Sequence, residues 1–377
     1  MSLRSLLLCS DDKVTRVLRR VLSDLEIGVE HCGDAESAVH KLTRRRYEAV
    51  IVDCGDDQVA ARVFASVRSA PCNRHAIAVA LIDSQRDVQS AFTLGAHFVL
   101  YKTISSERAK GSFRAARALM KCERRRNTRV AIEIPVTLSG AEIKGQPRIV
   151  TSDMSEGGMA IQLPRRTRKR GPLRVKFTLP GTDDAIDCGA EVAWENPGLH
   201  TGIRFVDLSR KQRNCLKSWM NRHCPEIEKE DPPVPCKLTD VSPGGCYLKM
   251  ATPFPVRTMV LLLMRAADSS VSVEGIVRAM HQESGMGVEF IQNTSQQREQ
   301  VEEFIRHLNH GGVPLELEVE PEGLDDAESL VSISPRAADD PLLDLFRRSR
   351  ELSPEAFHSE LQKQRSSRGE AAEAASV

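Results

Sequence analysis

Two short groups of polar residues have side chains that could bind one anionic ligand together. Arg125 and Arg129 form an R-x-x-x-R pair, and Asp153, Ser155 and Gly158 form a D-x-S-x-x-G sequence further along the chain. Arginine presents a planar fork of N–H donors that fits a phosphate or the edge of a guanine base. In the second group the carboxylate accepts hydrogen bonds, the hydroxyl donates, and glycine permits a tight turn. Each group alone is common, but the two in this order indicate a binding site.

A second set of charged residues lies near the N-terminus, where residues 1–120 alternate short apolar runs with amphipathic helical stretches. Asp53, for example, directly follows the apolar run Ala49–Val52. This alternation predicts an α/β doubly wound, flavodoxin-like domain with a parallel sheet that helices cover on both faces. Sites in such sheets form at the carboxyl ends of the strands.

Residues 1–120 resemble the receiver domain of two-component response regulators. The resemblance rests on four charged residues: Asp11, Asp12, Asp53 and Lys102. It implies that Asp11, Asp12 and Asp53 hold Mg²⁺, that Asp53 accepts a phosphoryl group, and that Lys102 neutralises its charge.

The receiver resemblance has clear departures. No Met-Pro follows Asp53, Thr103 replaces the usual proline after Lys102, and Asp83 would place an extra carboxylate beside a phosphoryl group. A receiver fold kept as a dimerisation or docking module therefore remains an alternative to phosphorylation.

Composition narrows the class of protein. The chain has 377 residues, with 53 Lys and Arg against 52 Asp and Glu, so the net charge of +1 argues against a bulk nucleic-acid binder. Its ten cysteines never approach C-x-x-C spacing, which argues against a zinc ribbon or a secreted disulfide framework. No signal peptide or membrane-spanning run is recognisable, so we expect a cytoplasmic protein without membrane insertion.

Residues 123–310 contain an internal repeat of a β-rich module. The sequence that begins at Asp153 recurs at Asp240, with Ser242 and Gly245 in the matching positions. A Gly-x-x-Phe element and a following helix also recur, and short alternating runs between turns predict a small antiparallel β-barrel or sandwich for each copy. We place the first copy at residues 123–222 and the second copy at residues 232–310, separated by the Pro-rich joint Pro225–Pro235.

The module resembles the PilZ domain, a bacterial receptor for cyclic di-GMP, whose signature is an R-x-x-x-R arm followed by a D/N-x-S-x-x-G turn. The resemblance implies that a flexible arm closes over the nucleotide from one side while the turn faces it from the other. The residues that it assigns to cyclic di-GMP binding are Arg124, Arg125, Arg129, Asp153, Ser155 and Gly158. The second copy lacks the arm, because residues 226–237 contain no arginine, and we expect it not to bind the nucleotide.

Residues 311–377 form an acidic, Pro-containing tail that composition predicts to be largely disordered. One apolar island, Leu342–Phe346 followed by residues 356–363, could form a short amphipathic helix and order on a partner.

Two functional hypotheses remain at this stage. The leading one is a non-enzymatic signalling receptor in which cyclic di-GMP orders the arm and reorients the receiver-like domain. The alternative is a protein-interaction adaptor of two-component signalling that binds no nucleotide. Both allow a protein partner such as a histidine kinase, or a homodimer, and neither needs a catalytic residue.

Overall fold

The computed structural model describes most of the chain. The described residues are 3–84, 88–140, 149–162, 173–196, 198, 200–206, 208–224, 234–266, 269–292, 295–310, 315–324, 340–349, 352 and 355–364. They fall into two compact units, of which unit 1 is Glu123–Lys229 and unit 2 comprises Ser2–Cys122 with Glu230–Val377. Each unit is described separately below.

The N-terminal domain of unit 2 is doubly wound, as predicted. Its strands are β1 (Leu3–Leu8), β2 (Ile27–Cys32), β3 (Ala49–Asp53), β4 (Ile77–Ile82) and β5 (Phe98–Tyr101), and its helices are α1 (Asp12–Asp24), α2 (Ala35–Arg44), α3 (Asp57–Ser69), α4 (Val88–Thr93) and α5 (Ser106–Asn127). All strand pairs are parallel, in the order β2-β1-β3-β4-β5 of flavodoxin-like folds. Every residue of β4 is buried, because helices cover both faces of the sheet.

Helix α5 continues beyond residue 120, where the sequence analysis ended the receiver-like domain. The arginine arm was expected to be a flexible connection, yet Arg124, Arg125 and Arg126 form the last helical turn. The segment contains no proline and its only glycine is Gly111, so its many alanine, leucine, methionine and arginine residues favour an uninterrupted helix. Helical pairing ends at Thr128, whose backbone N–H and hydroxyl both donate to the Arg124 carbonyl, at 2.8 and 2.7 Å.

The first copy is a closed antiparallel β-barrel in unit 1. Its elements are β6 (Val130–Ala131), β7 (Pro135–Gly140), β8 (Ile149–Ser155), β9 (Gly158–Gln162), β10 (Leu173–Thr178), β11 (Ala185–Glu195), β12 (His200–Val206) and α6 (Arg210–His223). The sheet order is β6-β8-β7-β10-β11-β12-β9, and an additional pairing of β8 with β9 closes the ring. Helix α6 buries Leu216, Trp219 and Met220 in the barrel core.

The second copy closely follows the strand order of the first, but its short first strand pairs differently and one strand comes from a different part of the chain. Its elements are β13 (Val234–Pro235), β14 (Lys237–Ser242), β15 (Gly245–Lys249), β16 (Thr258–Ala266), β17 (Ser269–His281), β18 (Gly285–Phe290), α7 (Ser295–His310) and β19 (Leu315–Leu324). Strand β19 pairs antiparallel with β16, just as β7 pairs with β10 in the first copy. A strand that follows α7 therefore occupies the place of the missing first strand.

Strand β19 lies beyond residue 310, the end that the sequence analysis expected for the second copy. In β19, Leu317 and Val319 are buried while the glutamates between them are not, so the segment is a half-buried strand within an acidic composition. The apolar island predicted further along is helical: α8 spans Pro341–Arg348 and α9 spans residues 355–364. Both helices pack on the second copy, so the described parts of the predicted disordered tail are ordered.

The receiver-like domain and the second copy belong to the same compact unit. One contiguous cluster of buried apolar side chains includes Phe113 and Leu119 of α5 together with Leu248 and Val277 of the second copy. Polar contacts join the same two domains at 2.9–3.0 Å, from Gln282 Nε2 to the Val99 carbonyl and between Arg108 and Glu283. The sequence order, in which the first copy follows the receiver-like domain directly, did not indicate this arrangement.

Among the described residues, no helix has the length and apolar character required to cross a membrane.

Candidate functional site

The D-x-S-x-x-G sequence of the first copy forms the tight connection between β8 and β9. Asp153 and Ser155 lie at the end of β8, and Gly158 begins β9. The buried Ser155 hydroxyl donates to the Gly158 carbonyl at 3.2 Å, which fixes the turn. A Cβ atom on Gly158 would lie 2.1 Å from the Ile203 carbonyl oxygen on β12, so the barrel tolerates only glycine there.

The arginine arm meets this turn through two different arginines. Arg129 forms an ion pair with Asp153, in which the two side chains are 40% and 30% exposed. Arg125 is only 6% exposed, and its Nε lies 4.0 Å from a carboxylate oxygen of Glu156, a residue within the turn. The structure thus brings both parts of the predicted signature together on one side of the barrel.

Arg124 and Arg126 lie in the same last helical turn as Arg125. Arg126 is within 3.4 Å of Glu123, and the Arg126 carbonyl lies close to Gly157 of the turn. Three pairs of opposite charge therefore lie at the turn and the helix end: Arg125 with Glu156, Arg126 with Glu123 and Arg129 with Asp153.

The same barrel also carries an exposed tryptophan. Trp194 on β11 lies opposite Gly202 on β12, and its indole ring would be 2.2 Å from a Cβ atom at that glycine. The side chain stays 44% exposed, which is unusual for a large apolar residue. The sequence analysis did not count Trp194 among the ligand-binding residues. Its exposure and its position over Gly202 depend on the pairing of two strands, so they become visible only in the folded barrel.

The corresponding turn of the second copy has the same geometry without the arm. The Ser242 hydroxyl donates to the Gly245 carbonyl at 3.3 Å and accepts from the Gly245 N–H at 3.2 Å. Gly245 is also in close contact with a neighbouring strand, because a Cβ atom there would lie 2.5 Å from the Val288 carbonyl oxygen. No arginine of the described part of the second copy matches Arg125 or Arg129 in sequence.

The receiver-like domain places three of its predicted residues at one edge of the sheet. Asp53 ends β3, Asp83 follows β4 and Lys102 follows β5, so the carboxyl ends of parallel strands bring them together. Lys102 Nζ is 2.8 Å from a carboxylate oxygen of Asp53 and 2.8 Å from one of Asp83. Burial disfavours the charged lysine, but its hydrogen bonds to the two carboxylates dominate and raise the pKa of Lys102 above its ordinary value.

Asp11, Asp12 and Asp53 do not form the magnesium ligand set that the receiver resemblance implies. One Asp11 oxygen accepts the backbone N–H groups of Lys13 and Val14, at 2.7 and 3.2 Å, and so caps α1. Asp12 is exposed in the first turn of that helix. The described residues contain no cluster of three or more His, Cys, Asp or Glu side chains suited to a metal ion.

A thiol lies directly beside Asp53. Cys9 Sγ lies 3.7 Å from an Asp53 oxygen. Burial, followed by the charge of Asp53, raises the pKa of the Cys9 thiol and keeps it neutral. The described residues around Asp53 therefore do not fit Mg²⁺ coordination.

Comparisons with known proteins identify the repeated module. The PilZ domain model matches residues 123–222 and again residues 221–307, so both copies match this family in tandem. This confirms the PilZ resemblance that the sequence indicated. No curated protein gives a significant match to the chain.

Solved structures show local similarities at low identity. The receiver domain of a sensor histidine kinase from Pseudomonas aeruginosa, with a magnesium ion in its active-site cleft, is 20% identical, covering 32% of this chain and 98% of its own, with a TM-score of 0.29. A response regulator from Hahella chejuensis is 22% identical over 32% of this chain and 92% of its own, with a TM-score of 0.27. The PilZ domain of CeSA from a cellulose-synthesizing bacterium is 19% identical. The match covers 26% of this chain and 97% of its own, with a TM-score of 0.22.

Proposed function

We propose that this protein is a signalling receptor that binds cyclic di-GMP through its first copy and transmits the binding event to protein partners. PilZ domains form a family of cyclic di-GMP receptors, and the first copy contains the complete two-part signature. The observation that carries the proposal is the ion pair between Arg129 of the arm and Asp153 of the turn. It places a guanidinium fork and a carboxylate side by side, and cyclic di-GMP offers a complementary partner for each.

Binding would replace this internal ion pair with contacts to the ligand. A guanine base presents N–H donors to Asp153, while its O6 and N7 atoms or a phosphate oxygen accept from Arg129. Both charges therefore stay paired when they separate, so the exchange avoids the cost of an unpaired charge. Arg125 is buried against Glu156, and it supports the turn while contributing positive charge to the site.

Transmission would start at the end of α5, because the arm is the last turn of this helix and the two residues after it. A ligand that draws Arg129 away from Asp153 changes the contacts of Arg124–Arg129, and so biases the conformation of the helix end. The resulting coupling can be no larger than the difference in ligand affinity between the two conformations.

For the receiver-like domain we favour a docking role over phosphorylation. Lys102 already neutralises both Asp53 and Asp83, and a phosphoryl group on Asp53 would have to compete with the Asp83 carboxylate for it. The apolar cluster that this domain shares with the second copy supports a structural role. A phosphoacceptor role for Asp53 remains a hypothesis that a direct labelling experiment can test.

Isothermal titration calorimetry of the full chain with cyclic di-GMP tests the central proposal. We expect saturable binding at a single copy, lost in Asp153→Ala and weakened in Arg125→Lys, which retains the charge but not the planar fork. Asp240→Ala is the matched control, because it removes the equivalent carboxylate from the second copy and should leave the affinity unchanged. Absence of binding by the wild-type chain, or loss of binding only in Asp240→Ala, would contradict the proposal.

A further inference from the structure

The second copy covers its own D-x-S-x-x-G turn with the C-terminal helices. Helix α8 lies against β15 and β17, and α9 packs beside it. Six apolar side chains of the two helices are at most 4% exposed at this contact: Leu342, Leu343, Leu345, Phe346, Phe357 and Leu361. We call Asp340–Arg348 together with residues 355–364 the C-terminal segment.

The contact begins at the turn itself. One oxygen of Asp340 accepts the Gly244 N–H at 3.2 Å, while the other accepts the Leu342 N–H at 3.0 Å and caps α8. Leu343 lies over the two glycines, because Cβ atoms on Gly244 and Gly245 would be 2.6 and 3.0 Å from its side chain. The turn that accompanies the arginine arm in the first copy thus binds a peptide carboxylate and a leucine in the second copy.

The neighbouring strands show a matching substitution between the copies. In the first copy Trp194 lies opposite Gly202 and its ring covers that glycine. In the second copy the same register, with the same strand irregularity, places Ala279 opposite Gly287. The Phe346 ring covers Gly287 instead, 2.6 to 2.8 Å from where a Cβ atom would lie. An aromatic ring from the C-terminal segment therefore takes the place of the tryptophan that the second copy lacks.

A polar contact completes the surface. The Tyr247 hydroxyl lies 3.2 Å from His281 Nδ1 and 3.4 Å from His358 Nε2 of α9, and the Phe357 ring lies 4.2 Å from the His281 ring. We call the surface of β15, β17 and β18 that lies under the C-terminal segment the groove. The polar groups give it a hydrogen-bonding end in addition to its apolar floor. A groove with glycine and alanine at its floor and polar groups at both ends suits an amphipathic helix.

We propose that this face of the second copy is a peptide-binding groove whose ligand is the C-terminal segment, an amphipathic helix with an aspartate cap and the sequence D-P-L-L-x-L-F. The proposal goes beyond nucleotide binding by the first copy and does not depend on it. Residues 325–339 join β19 to Asp340, so the segment binds the groove within its own chain and at a higher effective concentration than a free peptide. A moderate intrinsic affinity therefore suffices to keep the groove occupied by its own chain.

The test uses the full chain with a specific protease site inserted after residue 331. After cleavage we expect the fragment to stay bound during size-exclusion chromatography, and a fluorescein-labelled peptide of residues 338–366 to exchange with it below about 100 μM. Phe346→Ala in the peptide should weaken binding about 100-fold or more, because it empties the site over Gly287. Arg347→Ala, on the exposed side of α8, is the matched control and should bind like the wild-type peptide.

A reciprocal variant tests the groove from the other side. Ala279→Trp recreates the arrangement of the first copy. The new indole ring should lie over Gly287 in place of the Phe346 ring, and the fragment should therefore be released after cleavage. Circular dichroism and thermal unfolding of the uncleaved variant report whether the barrel remains folded. Equal binding of the wild-type and Phe346→Ala peptides, or no peptide binding at 100 μM, would overturn the proposal. Cooperative unfolding of unit 2 after fragment removal would also overturn it, because the segment would then be part of the core and not a ligand.

Discussion

Replacing Arg129 by glutamine separates the stability of the first copy from its ligand affinity. Arg129 pairs with Asp153, and the exposed fractions of the two side chains are 40% and 30%. Water and salt screen a pair that is this exposed, so it contributes only about 0.2–1 kcal/mol to the free energy of unfolding. Glutamine retains most of the aliphatic stem, so Arg129→Gln should lower the free energy of unfolding by less than about 1 kcal/mol.

The same substitution should affect ligand binding much more strongly. A hydrogen bond to a charged partner contributes about 1.5–3 kcal/mol, and the loss of one such bond raises the Kd about 10- to 150-fold. Asp153 would also lose its nearest cation, which increases the repulsion between its carboxylate and an anionic ligand. We therefore expect an increase in Kd at the upper end of that range.

Calorimetric titration with cyclic di-GMP and urea denaturation of the full chain measure the two effects. Arg174→Gln is a suitable control, because Arg174 pairs with Asp187 at 2.6 Å in the same barrel and is more exposed, at 64%. It should reduce stability by a similarly small amount and leave the Kd unchanged. A Kd for Arg129→Gln within twofold of wild type, or an equal loss of affinity in Arg174→Gln, would refute the reasoning.

Two further predictions concern unit 2. After incubation with acetyl phosphate and Mg²⁺, mass spectrometry should detect no phosphoryl adduct on the full chain. Lys102 is shared with Asp83, and the described residues around Asp53 offer no magnesium ligand set. An adduct that disappears in Asp53→Asn would contradict this. A chain ending at residue 310 should lose the cooperative unfolding of the second copy, whereas a chain ending at Leu324 should keep it. Strand β19 buries Leu317 and Val319, which together contribute about 3–6 kcal/mol, and equal denaturation curves for the two chains would show that β19 is dispensable.

Local sequence patterns predicted most of the elements. Runs such as Ala49–Val52 identified buried strands because parallel strands covered on both faces are apolar throughout. The repeated turn at Asp153 and Asp240 revealed the two copies, because both need glycine where a neighbouring strand approaches closely. Strand β2 was not predicted, since it lies at the edge of the sheet and only Ile27 and Cys32, its first and last residues, are buried.

The features that the sequence analysis did not predict depend mostly on long-range packing. Composition predicted disorder for the acidic residues after 310, although alternate residues of β19 point to a core that distant strands provide. The arm was predicted to be flexible, although helix propensity carries α5 as far as Asn127. Neither the pairing of β19 with β16 nor the docking of α8 leaves a local signal, because the partners lie far away in the sequence.

The sequence by itself determined the residue types of the candidate site and the order of its parts: two arginines, then an aspartate, a serine and a glycine. Side-chain chemistry and turn geometry are local properties, so they can be read from adjacent residues. The tertiary structure alone decided which groups meet. It pairs Arg129 with Asp153, assigns Lys102 to two carboxylates, joins the receiver-like domain to the second copy and covers the second turn with Phe346 and its helix. These outcomes depend on strand register and on burial between distant segments, which no single stretch of sequence specifies.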